Sequence, residues 1–263
     1  MGWVHPPAPL AHPFDDGSAA VLERSVQETG ATLDCNDVEA YRKLMQPIAR
    51  DFDRLLGALL GPPRLPRHPI ALARFGLKAV RSARGLAESL FEGEKARGLF
   101  AGNAAHSALP MERVPSGAFG LVFATLSHAV GWPFPKGGSQ KIADALASYL
   151  LSLGGEVYTG VRVDSVEEVP RTRSVLFDVT PRQLLKITGD HFPKRYRRAL
   201  ERYRYGPGVF KVDFALDAPV PWKAEVCKRA ATVHLGGTLD EISTGEAAVW
   251  RGEHPERPFV LLA

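Results

Sequence analysis

The chain has little sulfur. Its 263 residues hold two cysteines, Cys35 and Cys227, far apart and without metal-ligand spacing. That excludes a disulfide framework or a thiolate metal centre, and a reducing compartment with two free thiols is the expectation. A secretory leader is lacking too, since no basic stretch followed by an apolar run opens the sequence and Pro6, Pro7 and Pro9 interrupt residues 2–9. No run approaches the roughly 18 apolar residues that span a bilayer, so a cytoplasmic protein is expected. Neither a Ser-His-Asp set nor a pair of carboxylates at catalytic spacing is recognisable. The net charge of +4 is mild and the arginines are scattered rather than interleaved with aromatics, so nucleic acid is not an expected partner.

Hydrophobic residues make up 45% of the chain, enough at this length for a substantial core in one large domain or two intertwined ones. The organising stretch covers residues 132–166. Pro133, Pro135, Gly137 and Gly138 make a turn, Ser139 stands at a helix N-cap, and Ile142, Leu146, Tyr149, Leu150 and Leu153 recur at helical spacing. Gly154 and Gly155 stop the helix, and Val157, Val161, Val163 and Val166 predict a strand beyond it. Turn, helix, Gly-Gly and strand make one half of an α/β unit.

Elsewhere, residues 10–22 read as two short strands about Asp15-Asp16-Gly17. A helix over residues 23–32 follows. Asn36 and Glu39 have capping-box spacing ahead of a helix lined by Tyr41, Leu44, Met45, Ile48, Phe52, Leu55, Leu56 and Leu59. Pro47 should kink or split that helix, and Gly61-Pro62-Pro63 should end it. Residues 64–84 carry Arg64, Arg67, Arg74, Lys78, Arg81 and Arg84 without one acid, between Ile70, Leu72, Phe75, Leu77 and Val80. Such a segment can lie on an anionic membrane surface, or form a solvated helix over a substrate cavity with its charges in water.

Residues 86–100 predict another helix. Residues 117–130 are apolar almost all round, the pattern of a buried core helix. His106 and His128 could line a cavity as proton acceptors, or be satisfied core groups. Residues 175–179 suit a buried parallel strand, and Thr180-Pro181 opens a helix with proline at its first position. Residues 195–205 are dense in arginine and tyrosine, as in an exposed helix with cation–π stacking. Residues 209–216 alternate as a half-buried strand does, with Phe210, Val212 and Phe214 on one face: a wall for an apolar ligand, or an ordinary core face. A turn at Gly236-Gly237-Thr238, a helix over 239–249 and a strand over 259–262 complete the chain.

The Pro135-x-Gly137-Gly138-Ser139 turn, the helix after it and Gly-Gly-Glu-Val followed by V-x-x-V resemble a segment of phytoene desaturase-like, FAD-dependent oxidoreductases. Residues 203–222, the stretch ATVHLGGTLDEI (231–242) and LAHPFDDG (10–17) are similar to that family as well, so the resemblance spans nearly the whole chain. It implies an α/β fold with α+β character: a substrate domain of mixed sheet and helices plus a partial, Rossmann-like FAD-binding domain. The implied division is substrate-domain strands and helices over 1–130, the partial FAD domain over 131–190, and the substrate-domain sheet over 191–263. Pro135, Gly137, Gly138 and Ser139 would lie near the flavin, Val163 beside the adenine, and Asp178 at an FAD-facing edge. His106, His128, Phe210, Val212 and Phe214 would face an apolar substrate.

The implied activity is hydride transfer from an apolar substrate to FAD, as in desaturases. The family's G-x-G-x-x-G turn, which holds the FAD pyrophosphate at a helix N-terminus, is absent. The expectation is therefore a fragment of such an enzyme, inactive and without FAD by itself, with the dinucleotide-binding segment supplied in cis or trans. A non-catalytic remnant, or one half of a split flavoenzyme, serving as a binding or assembly module is the alternative. The lipid solubility of the family's substrates adds peripheral membrane contact through residues 64–84.

Overall fold

A computed structural model describes residues 2–62 and 65–263; Pro63 and Arg64, which the expected helix stop and basic segment include, lie outside them. In order, the strands are β1 (Trp3–Val4), β2 (Ala8–Pro13), β3 (Ala19–Leu22), β4 (Phe134–Pro135), β5 (Ala230–Leu235) and β6 (Val260–Leu262). The helices are α1 (Val26–Ala31), α2 (Val38–Arg50), α3 (Phe52–Leu59), α4 (Pro69–Ala79), α5 (Ala83–Leu90), α6 (Glu94–Ala105) and α7 (Ser116–Ala129), then α8 (Gln140–Ser152), α9 (Pro181–Thr188), α10 (Lys194–Glu201) and α11 (Leu239–Trp250). The architecture mixes helix and sheet, in line with an α/β class. The chain divides into two compact units, one reaching up to Lys141 and resuming from Pro207 to Ala263, the other Ile142–Gly206.

The larger unit is built on a mixed sheet of order β3-β2-β5-β6. β2 and β3 form the expected hairpin, closed at Gly17, whose φ of +86° suits a residue without Cβ. β5 joins β2 in parallel, with Leu10 opposite Thr232 and Ala11 opposite Val233. Alternation divides the sheet's two faces. Leu10, Ala20 and Leu22 enter the main core with Met45, Ile48, Leu99 and Leu121, while Ala11, Val21 and Val233 pack on Ala224 and Cys227. Helices α2, α5, α6 and α7 thus cover one face, and a short 3-10 turn (Glu225–Arg229) covers the other.

Several local expectations hold. α2 buries Tyr41, Leu44, Met45 and Ile48, α7 forms over the apolar run, and the chain breaks at Asp51, one turn beyond Pro47. α9 and α11 open on full capping boxes, Thr180 with Gln183 and Thr238 with Glu241. Others are corrected. Asn36 does not cap α2: its amide donates to Glu92, and Asp37 takes the N-cap position. The helix expected over 86–100 is two, α5 and α6, interrupted at Phe91–Gly93.

The smaller unit contains no strand among the described residues. α8 forms, yet Leu146, Tyr149 and Leu153 on its apolar stripe are each about two-thirds exposed. The strands expected over 157–166 and 175–179 are irregular and exposed. A valine pattern makes a strand only where an adjacent strand supplies its hydrogen bonds, and here none does. The Rossmann-like half therefore does not form in these segments. α9 and α10 pack together, and Arg182 of α9 lies 4.9 Å over the Tyr205 ring. Cation–π stacking is present, with its cation outside the arginine-rich segment itself.

Candidate functional site

Parallel pairing of β2 with β5 brings together two histidines that lie far apart in sequence. His12, near the end of β2, and His234, in β5, are both fully buried on the face covered by α6, with ring centroids 6.2 Å apart and planes nearly perpendicular. His106, just past the end of α6, completes the group: its Nε2 lies 3.1 Å from Nε2 of His234. Phe123 stacks on the His106 ring at 4.3 Å, while Trp132, Phe259 and Phe14 close around the three imidazoles.

The hydrogen bonds fix part of the protonation pattern. His12 donates from Nε2 to the Gly237 carbonyl at 2.7 Å, so the neutral ring carries no proton on Nδ1. One Nε2 of the His106–His234 pair must donate and the other accept. When His106 donates, its Nδ1 is a bare acceptor that a ligand can meet, because this ring remains partly exposed. Nδ1 of both His12 and His234 is buried without a partner.

Burial lowers all three pKa values. His12 falls from 6.5 to about 4, its bond to Gly237 opposing the shift only in part. His234 falls well below 6.5 through burial, and a charge on His12 or His106 would depress it further. His106 is lowered by burial as well. The cluster is thus neutral near pH 7: His106 is its partly exposed ring, and the buried His12 and His234 resist taking up a proton.

Gly102 of α6 makes this approach possible. A Cβ there would lie 2.8 Å from Nδ1 of His234 and 2.9 Å from Nδ1 of His12. Gly102→Ala is expected to cost about 1–3 kcal/mol by overpacking. Gly76→Ala in α4, where nothing lies within 4 Å, should be neutral or stabilising by up to about 1 kcal/mol. Urea denaturation of the two variants checks this, and a Gly102→Ala protein as stable as the parent contradicts the packing described.

A half-open cleft of about 790 Å³ adjoins the group, lined by Pro13, Phe14, Val220, Pro221, Trp222, Leu235, Gly236, Gly237 and Pro258 with Asp15, Arg257, Lys223 and Ala224. Its walls mix apolar side chains with polar surface, and Gly237 is shared with the histidine cluster through the bond to His12. Asp15 and Arg257 pair across 2.9 Å, so the cations left for a ligand's polar end are few.

The residues expected at the site separate. His106 joins the cluster. His128 does not: its Nδ1 donates to the Arg24 carbonyl and its Nε2 receives the buried Tyr41 hydroxyl at 2.8 Å. Both nitrogens are engaged, which makes His128 a satisfied core group rather than a proton acceptor. Phe210, Val212 and Phe214 sit in irregular backbone, 92%, 52% and 77% exposed, and form no wall.

Pro135 is buried in the short β1–β4 ladder opposite Trp3. Gly137, Gly138 and Ser139 are exposed, both glycines with positive φ. Val163 and Asp178 lie in irregular stretches of the smaller unit. Residues 136–139 thus link β4 to the start of α8, while Val163 and Asp178 lie in separate irregular stretches; none of these segments carries the G-x-G-x-x-G turn that holds the pyrophosphate of FAD.

His12 and His234 were not singled out from the sequence. The available signal was that each lies inside a stretch carrying the family resemblance, LAHPFDDG and ATVHLGGTLDEI. Among the described residues, no group of three or more His, Cys, Asp or Glu is placed to hold a metal ion. No protein-family model matches the chain, and no curated protein matches it.

Proposed function

We propose that the chain is the substrate-handling part of an FAD-dependent oxidoreductase of the phytoene desaturase-like type, acting on an apolar substrate. One observation carries the reading: two stretches that resemble this family each send a histidine into one aromatic-walled, neutral cluster beside a half-open cleft with apolar side chains in its walls. In dehydrogenation of such a substrate a proton has to leave, and His106 is the partly exposed base, its ring held by the bond to His234. FAD would be held by a dinucleotide-binding segment supplied in cis or trans. Peripheral contact with a membrane, from which an apolar substrate could enter, belongs to the same proposal.

The purified chain is therefore expected to be colourless, with less than about one-tenth of a flavin per chain, because the pyrophosphate contacts that anchor the cofactor are missing. Visible absorbance of the desalted protein measures this. Stoichiometric flavin on the chain alone would contradict it. Joining the chain to a family-type dinucleotide-binding segment should restore flavin. In that protein His106→Gln is expected to slow flavin bleaching by an apolar substrate about 10²-fold without changing flavin content. An unchanged rate removes His106 from the reaction. The lack of a G-x-G-x-x-G turn also favours a second reading, a non-catalytic binding module, which predicts no bleaching even when flavin is restored.

A further inference from the structure

The segment between α11 and β6 closes one side of the site with little to hold it. Among the described residues, residues 254–259 make no backbone–backbone hydrogen bond outside the sheet, and their side-chain hydrogen bonds are those of Arg257. That guanidinium spans two carboxylates, donating from Nη2 to Asp15 at 2.9 Å and from Nη1 to Glu241 at 2.6 Å. Two aromatic rings flank it. Phe14 precedes Asp15 and lies against His12, with ring centroids 5.1 Å apart. Phe259 follows Arg257 by two residues and meets the His234 ring edge-on at 5.3 Å. Gly236 lets Phe259 lie this close to the sheet, since a Cβ there would come 2.6 Å from its ring. Phe14, Gly236 and Pro258 also line the cleft, whereas His12, His106 and His234 do not. A molecule in the cleft therefore meets Phe14 and Pro258, not an imidazole.

We infer that Arg257 is a positioning residue: its ion pairs hold Phe14 and Phe259 as a partition between the cleft and the histidine cluster, and their release opens the cluster to a molecule in the cleft. The inference rests on the reading of cleft and cluster as one substrate site. The bond from Arg257 to Asp15 joins positions 242 residues apart in sequence, and each joined segment carries one of the two rings. Releasing this one cation thus frees both sides of the partition. The Arg257 and Asp15 side chains are 63% and 79% exposed. Ion pairs so exposed contribute little and are screened by salt. The tie is strong enough to favour the closed arrangement and weak enough to open while the rest of the unit stays folded.

Hydrogen–deuterium exchange on the full chain tests it. The carbon-bound Cε1 hydrogen of an imidazole exchanges in D2O only where water reaches the ring, and peptide mass spectrometry reads each histidine separately. In the parent, the buried His234 should exchange at least about tenfold more slowly than the exposed His68. Arg257→Gln should speed exchange at His234 about fivefold, a bias that two exposed ion pairs can supply. It should quicken the β6 amides alongside and leave those of α7 unchanged. Asp15→Asn removes one of the two pairs and should act in the same direction to a smaller extent. Molar salt should bring the parent to the Arg257→Gln rate and leave that variant as it is. Arg251→Gln, which removes only the nearby pair with Glu253, should change nothing. An unchanged His234 rate in Arg257→Gln, or an equal effect of Arg251→Gln, would overturn the assignment. So would α7 amides that quicken together with β6, since exposure would then come from unfolding of the whole unit. Neither flavin nor substrate enters the measurement. A failure of His106→Gln to slow bleaching therefore leaves the partition standing, and an immobile partition leaves His106 to be tested on its own.

Discussion

Lowering the pH from 7 to 5 is expected to remove about 4 kcal/mol of the larger unit's stability through His12 and His128 alone. Both have folded-state pKa values near 4, caused first by burial and only partly offset by bonds to Gly237 and to the Arg24 backbone. Above the unfolded value of 6.5 neither state binds the proton, and the full stability is present. Between 6.5 and about 4 the unfolded chain takes up protons that the folded chain refuses. Stability therefore falls with pH by up to about 1.4 kcal/mol per unit for each histidine. His234 and His106, shifted in the same direction, add to the loss.

Glu246 acts the other way in this window. Burial raises it from 4.5 to about 7, so the folded state gains a proton on acidification and regains some stability. Glu246→Gln should accordingly make the decline steeper, and His128→Gln should make it shallower. Urea unfolding at pH 7 and pH 5 measures all three proteins. Equal stability of the parent at the two pH values would mean that the histidines are already charged or hydrated in the folded protein.

The second large effect is at Asp37. Its carboxylate is 1% exposed and accepts the backbone N–H groups of Glu92 at 2.8 Å and Gly93 at 2.7 Å. It thereby fastens the start of α2 to the break between α5 and α6. Within its own helix it makes no capping bond, so its purpose is this long-range clasp. Asp37→Ala would leave both amides without an acceptor, and hydrogen bonds to a charged acceptor contribute roughly 1.5–3 kcal/mol each. A loss of about 3–5 kcal/mol is expected, and about half of that for Asp37→Asn, which keeps one acceptor oxygen. Thermal or urea unfolding decides it; a cost below about 1 kcal/mol for Asp37→Ala would show that other groups take over the amides.

Much of the local structure was legible because it depends on neighbours in sequence. Asp15-Asp16-Gly17 announces a hairpin, Thr180-Pro181 starts a helix, and Tyr41, Leu44, Met45 and Ile48 recur at a period that only a helix satisfies. The failures share one cause. Val157, Val161 and Val163, or Val209 to Leu216, have the alternation of strands, but a strand is a property of two segments, and these pair with no strand among the described residues. α8 shows the same limit for a helix: its apolar stripe was correctly periodic and is nevertheless exposed. The site was half legible. His106 attracted notice as a histidine beside an apolar helix, whereas the meeting of His12 with His234 follows from the parallel β2–β5 ladder, which no local spacing encodes. His128, equally conspicuous in sequence, is held by Tyr41 and the Arg24 carbonyl.

A nitrogen-15 NMR titration of the imidazole rings tests the histidine cluster most directly. His12, His106 and His234 should be neutral at pH 6.5, with His12 protonated on Nε2 and bare on Nδ1, and His12 should stay neutral to near pH 5. A His12 or His234 ring already cationic at pH 6.5, or His12 protonated on Nδ1 instead, would contradict the dry, neutral cluster from which the proposed function is built.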